Sequence, residues 1–167
     1  MKSETRHTRP VLDTDAEALF QLIEHCYADY EGVVVERDGI DADLNRYASV
    51  LTGIGGQGLV VENAGKLMAL VSGAPIAENK YQLKKLYLHN SLRGSGIATE
   101  LVAEVVSWAR NHGASTLELW SDTRFERAHR FYEREGFVRQ KSTRELHDLS
   151  NSVEFQFVKQ LQSNETT

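Results

Sequence analysis

The ten residues from Leu92 to Leu101, LRGSGIATEL, put a glycine-rich turn directly between a strand pattern and a helix pattern. KKLYLH precedes it, within a strand read over 81–89. On the far side of the turn, Ile97, Leu101, Val105, Trp108 and Ala109 recur at helical spacing, and Gly113 stands where a C′ glycine ends a helix. Residues 116–120 then alternate, with Leu117 and Leu119 on one face. Strand, helix and strand in that order predict a β-α-β crossover, the connection that parallel neighbours require, and a right-handed one. The glycine turn would then open the helix, where free N–H groups and the helix dipole favour an anion. Ser95 adds a hydroxyl there, and Arg93 a charged fork suited to phosphate.

A second glycine run, GIGGQG over 53–58, spells the dinucleotide-binding pattern literally. It comes after a helix and before the strand LVVEN, the reverse of the order a phosphate loop needs. It therefore reads as a plain connection.

The remaining elements complete one architecture. A strand is read over 6–12, and TDAE, with Thr14 as N-cap, opens a helix running to about Tyr30. A second helix carries Leu44, Tyr47, Ala48 and Leu51 on one face. Strands over 58–62 and 66–76 are joined by the hairpin turn NAG. A helix over 126–135 and strands over 137–146 and 153–161 close the chain. The sum is an α/β (α+β) domain over 1–161, with a mixed central sheet of about seven strands flanked by about four helices. A polar tail, 162–167, is expected to fray.

With 167 residues, 41% of them apolar, the chain is long enough for one domain with a real core. Its net charge of −5 argues against sequence-independent nucleic-acid binding. A single cysteine, Cys26, excludes an internal disulfide and a multi-cysteine zinc site, and no metal is expected. The polar start and the lack of an apolar stretch of roughly 18 residues give no membrane segment, so the sequence reads as cytoplasmic.

Arg93-Gly94-Ser95-Gly96-Ile97-Ala98 resembles R/Q-x-x-G-x-G/A, the acyl-CoA loop of the GNAT N-acetyltransferases. Downstream, ERAHRFYEREGF over 126–137 is similar to the A-x-x-x-Y-e-x-x-G-F segment that ends the core of that family. The element order matches along nearly the whole chain. The resemblance implies acetyl-CoA as co-substrate and an amine acceptor, joined by direct attack in a ternary complex. It implies that the pyrophosphate rests on Gly94, Ser95, Gly96, Ile97, Ala98 and Thr99, and that Leu86, Tyr87 and Leu88 pair with the pantetheine arm. The Leu88 amide would polarise the thioester carbonyl. Tyr132 would protonate the leaving thiolate as general acid. Of the arginines around the last helix, Arg134 is the candidate for the ribose phosphate. Dimers are common in the family, and a homodimer is open to this chain.

The sequence departs from the family at two positions. Phe125 stands where many relatives carry asparagine, leaving Ser121 or Asp122 to supply the polar cofactor contact. Gln82 stands where relatives often carry a glutamate, and an amide cannot serve as general base. The bases left are His89, Asp122, Glu118 or a water chain. The connection after the first helix holds Asp29, Glu31, Glu36, Asp38, Asp41 and Asp43 beside Tyr27 and Tyr30. It suggests a small cationic amine as acceptor, with Tyr27, Tyr30, Glu31 and Asp122 as its contacts. The segment over 147–155 could overhang that pocket or meet a second copy. Cys26 reads as a core residue and not a nucleophile. Two rival functions remain: a non-catalytic acyl-CoA sensor on the same fold, and a dehydrogenase resting on GIGGQG.

Overall fold

The computed structural model describes residues 6–162. Seven strands form one sheet: β1 (Arg6–Pro10), β2 (Gln57–Asn63), β3 (Lys66–Ala77), β4 (Lys80–Leu88), β5 (Thr116–Asp122), β6 (Val138–Glu145) and β7 (Val153–Gln160). Their spatial order is β1-β2-β3-β4-β5-β7-β6, and only β4 and β5 are parallel. Four helices, α1 (Ala16–Tyr27), α2 (Tyr47–Gly53), α3 (Ile97–Asn111) and α4 (Glu126–Arg134), cover the two faces. Strand and helix numbers agree with the sequence reading. Apart from Gln162, the tail expected to fray lies outside the described residues.

Each sheet face buries its own core. Ile97, Leu101 and Val105 of α3 and Tyr132 of α4 pack with Leu117, Leu119 and Phe157. Leu19, Phe20 and Ile23 of α1 and Tyr47 and Leu51 of α2 pack with Val60 and Leu70 on the other face. Alternation along the strands therefore decides what each half of the molecule meets. No helix among the described residues is long and apolar enough to cross a membrane.

Several boundaries differ from expectation. Thr14 does not cap α1 but lies inside a 3-10 turn, Asp13–Asp15. The Asp15 carboxylate accepts from both terminal Arg9 nitrogens, at 2.9 and 2.8 Å, and from the Leu12 amide at 2.8 Å, which tightens the chain into that turn. The first helix ends at Tyr27, three residues short of Tyr30. The second opens as a 3-10 turn, Ala42–Arg46, before α2. In GIGGQG, a Cβ on Gly56 would lie 2.7 Å from the Gly73 carbonyl, so that glycine serves close packing against β3.

The ladder between β4 and β5 holds only three pairs, Lys80 with Thr116, Tyr81 with Leu117 and Gln82 with Glu118. Beyond them β3 keeps β4 as far as Leu88, and β7 keeps β5 as far as Asp122. A bulge between Ser72 and Gly73 in the β3–β4 register falls at the same height. Bulges bend and twist a strand, so β4 leaves its parallel partner and a wedge opens.

Candidate active site

The wedge opens into a cavity of about 730 Å³. Just past the end of β4, the His89 amide donates to the Met68 carbonyl on β3 at 2.7 Å. Main-chain groups in an antiparallel pair alternate between facing the partner and facing away. Tyr87, paired with Leu70, therefore also faces β3, while Leu86 and Leu88 turn their main-chain groups toward the gap. Tyr87 thus offers the cavity its side chain, whose hydroxyl meets that of Tyr27 at 2.8 Å. The Leu88 carbonyl accepts from the Cys26 thiol at 3.2 Å. Burial pushes that thiol up to about 11, against weaker opposition from Arg93, so Cys26 is a protonated donor and no nucleophile.

The loop after β4 has the shape an anion needs. Gly94 and Gly96 sit at φ +75° and +84°, and a Cβ on either would meet nothing within 4 Å. The glycines are thus required for left-handed dihedrals and not for clearance. Ser95 works inward: its hydroxyl donates to the Leu92 carbonyl at 2.5 Å and its amide to the same carbonyl at 3.2 Å. The Ser95 oxygen accepts weakly from the Ile97 amide, at 3.4 Å, and the Ile97 side chain is buried in the core. The first intrahelical bond of α3 runs from Glu100 to Gly96. The amides of Gly94, Gly96, Ala98 and Thr99 are left without a protein acceptor among the described residues, and all four residues line the cavity. Thr99 ties the site together by donating its hydroxyl to Glu135 at 2.7 Å.

Charge surrounds this end. Arg93, Arg127 and Arg134 line the cavity, and Arg93 is steadied by Asp29 at 3.3 Å. Arg124, grouped with them in the sequence reading, is committed elsewhere. It clasps Asp122 through Nε and Nη2, at 2.9 and 2.8 Å, and bonds the Ser150 carbonyl at 2.9 Å.

Tyr132 lies in the throat of the cavity, only 6% exposed, its ring against Phe131, Phe137 and Phe157. Its hydroxyl has no protein partner among the described residues, and burial holds its pKa well above the usual tyrosine value. The phenol therefore stays protonated beside the cavity. Ser121 is buried in the same cavity wall.

The opposite half of the cavity belongs to α1 and the 28–41 connection. Tyr27, Tyr30 and Phe125 cluster there, with Phe125 centred 4.8 Å from Tyr30 and 5.8 Å from Tyr27. Phe125 thus adds an aromatic wall in place of a polar contact. Of the six carboxylates noted between Asp29 and Asp43, only Asp41 and Asp43 line the cavity. Glu31, an expected acceptor contact, is exposed on a turn and does not line the cavity. Burial, against the Glu36 amide, raises the Asp41 pKa. The segment between β6 and β7 overhangs this half: Ser150 exchanges hydrogen bonds with Val34, and Leu146, Asp148, Ser150 and Ser152 line the cavity.

The base candidates separate cleanly. His89 stacks on His25 at 4.0 Å and faces a different, smaller pocket. Glu118 accepts from Gln156 at 2.7 Å and lies outside the cavity. Asp122 lines it, and although burial opposes its charge, the Arg124 bonds hold its pKa below the usual carboxylate range. That makes it a weak base with both oxygens occupied. Gln82 lines the cavity as expected of its position.

Sequence reasoning missed Trp120, Lys84, Lys85, Arg144 and Glu154, all of which line the cavity. For Trp120 a signal existed, since alternation with Leu117 and Leu119 turns it to the other face. For the polar strand β6 no such signal was available.

The family model described as acetyltransferase (GNAT) family matches residues 16–137. A comparison with curated protein sequences gives no match. Among solved structures, an acetyltransferase of the GNAT family from Staphylococcus aureus Mu50 superposes with a TM-score of 0.80 at 18% identity, covering 95% of this chain and 100% of that one. The PaiA N-acetyltransferase of Thermoplasma acidophilum, in complex with coenzyme A, gives 0.70 at 18% identity, covering 93% and 99%. The Salmonella typhimurium protein yncA, with its cofactor acetyl-CoA, gives 0.69 at 15% identity, covering 96% of each.

Proposed function

This chain belongs to the acetyltransferase (GNAT) family, and on that premise we propose that it transfers the acetyl group of acetyl-CoA to the nitrogen of a primary amine by direct attack in a ternary complex. The observation that carries the reading is the wedge beyond Gln82 and Glu118, with unpaired main chain on one wall and unpartnered amides at its end.

The amides of Gly94, Gly96, Ala98 and Thr99 hold the pyrophosphate, with the positive end of α3 behind them. Arg93, Arg127 and Arg134 neutralise the remaining phosphate charge. Leu86 and Leu88 pair their main chain with the pantetheine amides, completing on β4 the ladder that β5 abandons. Ser95 and Ile97 keep the loop in shape, and Ser121 supplies a polar contact on the wall. Bound acetyl-CoA supplies an acetyl thioester, whose carbon–sulfur bond breaks as the acceptor nitrogen bonds the acyl carbon. The Leu88 amide donates to the carbonyl oxygen as negative charge develops on it. Tyr132 gives its phenolic proton to the departing sulfur. The acceptor arrives as an ammonium, drawn by Asp41 between Tyr27 and Tyr30, and loses one proton to water before it attacks; the second, shed as the amide forms, restores the Tyr132 phenol.

The test is calorimetric titration of CoA into the protein, then thiol release from acetyl-CoA with a panel of amines. Binding with turnover supports the reading. Binding with no turnover on any amine leaves a sensor, and absence of heat removes the cofactor site itself.

A further inference from the structure

The acceptor face of the sheet holds a cationic pair that the cofactor does not need. Leu117 and Leu119 of β5 and Phe155 and Phe157 of β7 pack toward α3 and α4. Alternation turns Trp120 and Glu154 to the other face, where α1 and the 28–41 connection run. Arg144 of β6, in register with Glu154, lays its guanidinium carbon 4.5 Å over the Trp120 ring and donates through Nε to Glu154 at 2.7 Å. These two contacts occupy Nε and one face of the guanidinium. Both terminal nitrogens are without a protein acceptor among the described residues.

Lys84 stands at the β4 bulge, where the register passes from Lys85 opposite Ser72 to Leu83 opposite Gly73. Its ammonium meets only the neutral amide oxygen of Gln82, at 3.3 Å, whereas its neighbour Lys85 has Asp43 at 3.8 Å. Lys84 keeps an exposed face at the cavity, and partial burial first, then Lys85 and Arg144, hold its ammonium below the usual lysine range, with Asp43 opposing. Lys84, with no carboxylate partner among the described residues, and Arg144, with both terminal nitrogens free, line the same cavity and repel each other, which suits an incoming anion. Val34, Ile40 and Leu146 line the same half and present apolar surface to the rest of such a ligand.

We propose that the acceptor carries a carboxylate beside its amine, gripped by the free fork of Arg144 and by Lys84, so that the substrate class is a free amino acid with an apolar side chain. The inference rests on the acetyl-transfer reading and goes further by naming its acceptor. Asp41 then takes the ammonium end and Arg144 the carboxylate end, which orients the nitrogen toward the thioester.

The test measures thiol release from acetyl-CoA with L-leucine, L-methionine and L-phenylalanine, with their C-terminal amides, and with spermidine. Each acid should exceed its amide in kcat/KM by about tenfold or more, the loss expected when a charge-assisted pair is removed. Lys84→Met and Arg144→Met should erase that preference while the KM for acetyl-CoA and the rate on the amides stay unchanged. Amides or spermidine used as well as the acids, or a preference that survives in both variants, overturns the proposal. Failure of every amine overturns it too, and heat on titrating CoA into the same sample then shows whether the cofactor site stands without it.

Discussion

Gln82 and Glu118 are the last residues paired across the parallel ladder of β4 and β5. One step further the strands are held only by their outer neighbours, and the unpaired edge of β4 faces the cavity. A sheet that stops pairing halfway leaves donors and acceptors unsatisfied, and here those groups face a ligand-sized space. The Tyr132 hydroxyl and the loop amides open onto the same space.

Tyr132→Phe should lower kcat by about 10²–10⁴-fold with little change in the KM for acetyl-CoA. Because the hydroxyl has no partner among the described residues, the melting temperature should be unchanged. The raised pKa keeps the phenol protonated beyond the usual tyrosine value near 10, so the wild-type rate should show no descending limb up to about pH 10. A variant that keeps full kcat removes the general acid from Tyr132.

Gly96→Ala forces a side chain into φ +84°. The strain, about 1 kcal/mol, should appear as a several-fold weaker Kd for CoA by calorimetry. Gly113 has φ +76° at the far end of α3 and serves as control. Gly113→Ala should lose similar stability and bind CoA normally.

Arg124→Met strips the buried Asp122 carboxylate of its clasp. The loss should be about 2–3 kcal/mol by denaturant unfolding at pH 7. The lowered folded pKa of Asp122 makes its contribution present above the unfolded value near 3.9. It fades as pH falls through the folded value, so the gap between wild type and variant should narrow below about pH 4. A constant gap down to about pH 2.5 contradicts the assignment.

A Cβ on Gly73 would lie 2.7 Å from a ring carbon of Tyr81 and 3.1 Å from the Gln82 carbonyl. Gly73→Ala should cost about 1–3 kcal/mol by overpacking. It strikes β4 just where the strand begins to leave β5, so the Kd for CoA should rise along with the loss of stability. An unfolding curve matching wild type would show that the bulge absorbs the methyl group.

His89, stacked on His25, has its imidazole held below the usual histidine range by burial and then by His25 and Lys66. The unfolded chain then takes the proton first, near pH 6.5, so stability should fall as pH drops through that value. The melting temperature of His89→Gln should depend less on pH between about 7.5 and 5.5. Equal slopes would dismiss the stack as a source of that dependence.

The succession of elements was legible in the amino-acid order, because hydrophobic period and glycine punctuation act over a few residues. Ile97 to Ala109 could only bury one face as a helix, and the turn at Gly94 and Gly96 could only open it. The same local signals put the glycine turn at the head of that helix, whereas Tyr132 stood out only through the resemblance of residues 126–137 to a known family segment. The half of the cavity beside the 28–41 connection was not legible there. Whether Glu31 or Asp41 faces the cavity depends on how the 28–41 connection folds against the segment between β6 and β7. Arg144 reaches Trp120 and Glu154 only because β7 inserts between β5 and β6. Such meetings are fixed by strand order and register across the sheet, quantities that no short-range periodicity encodes.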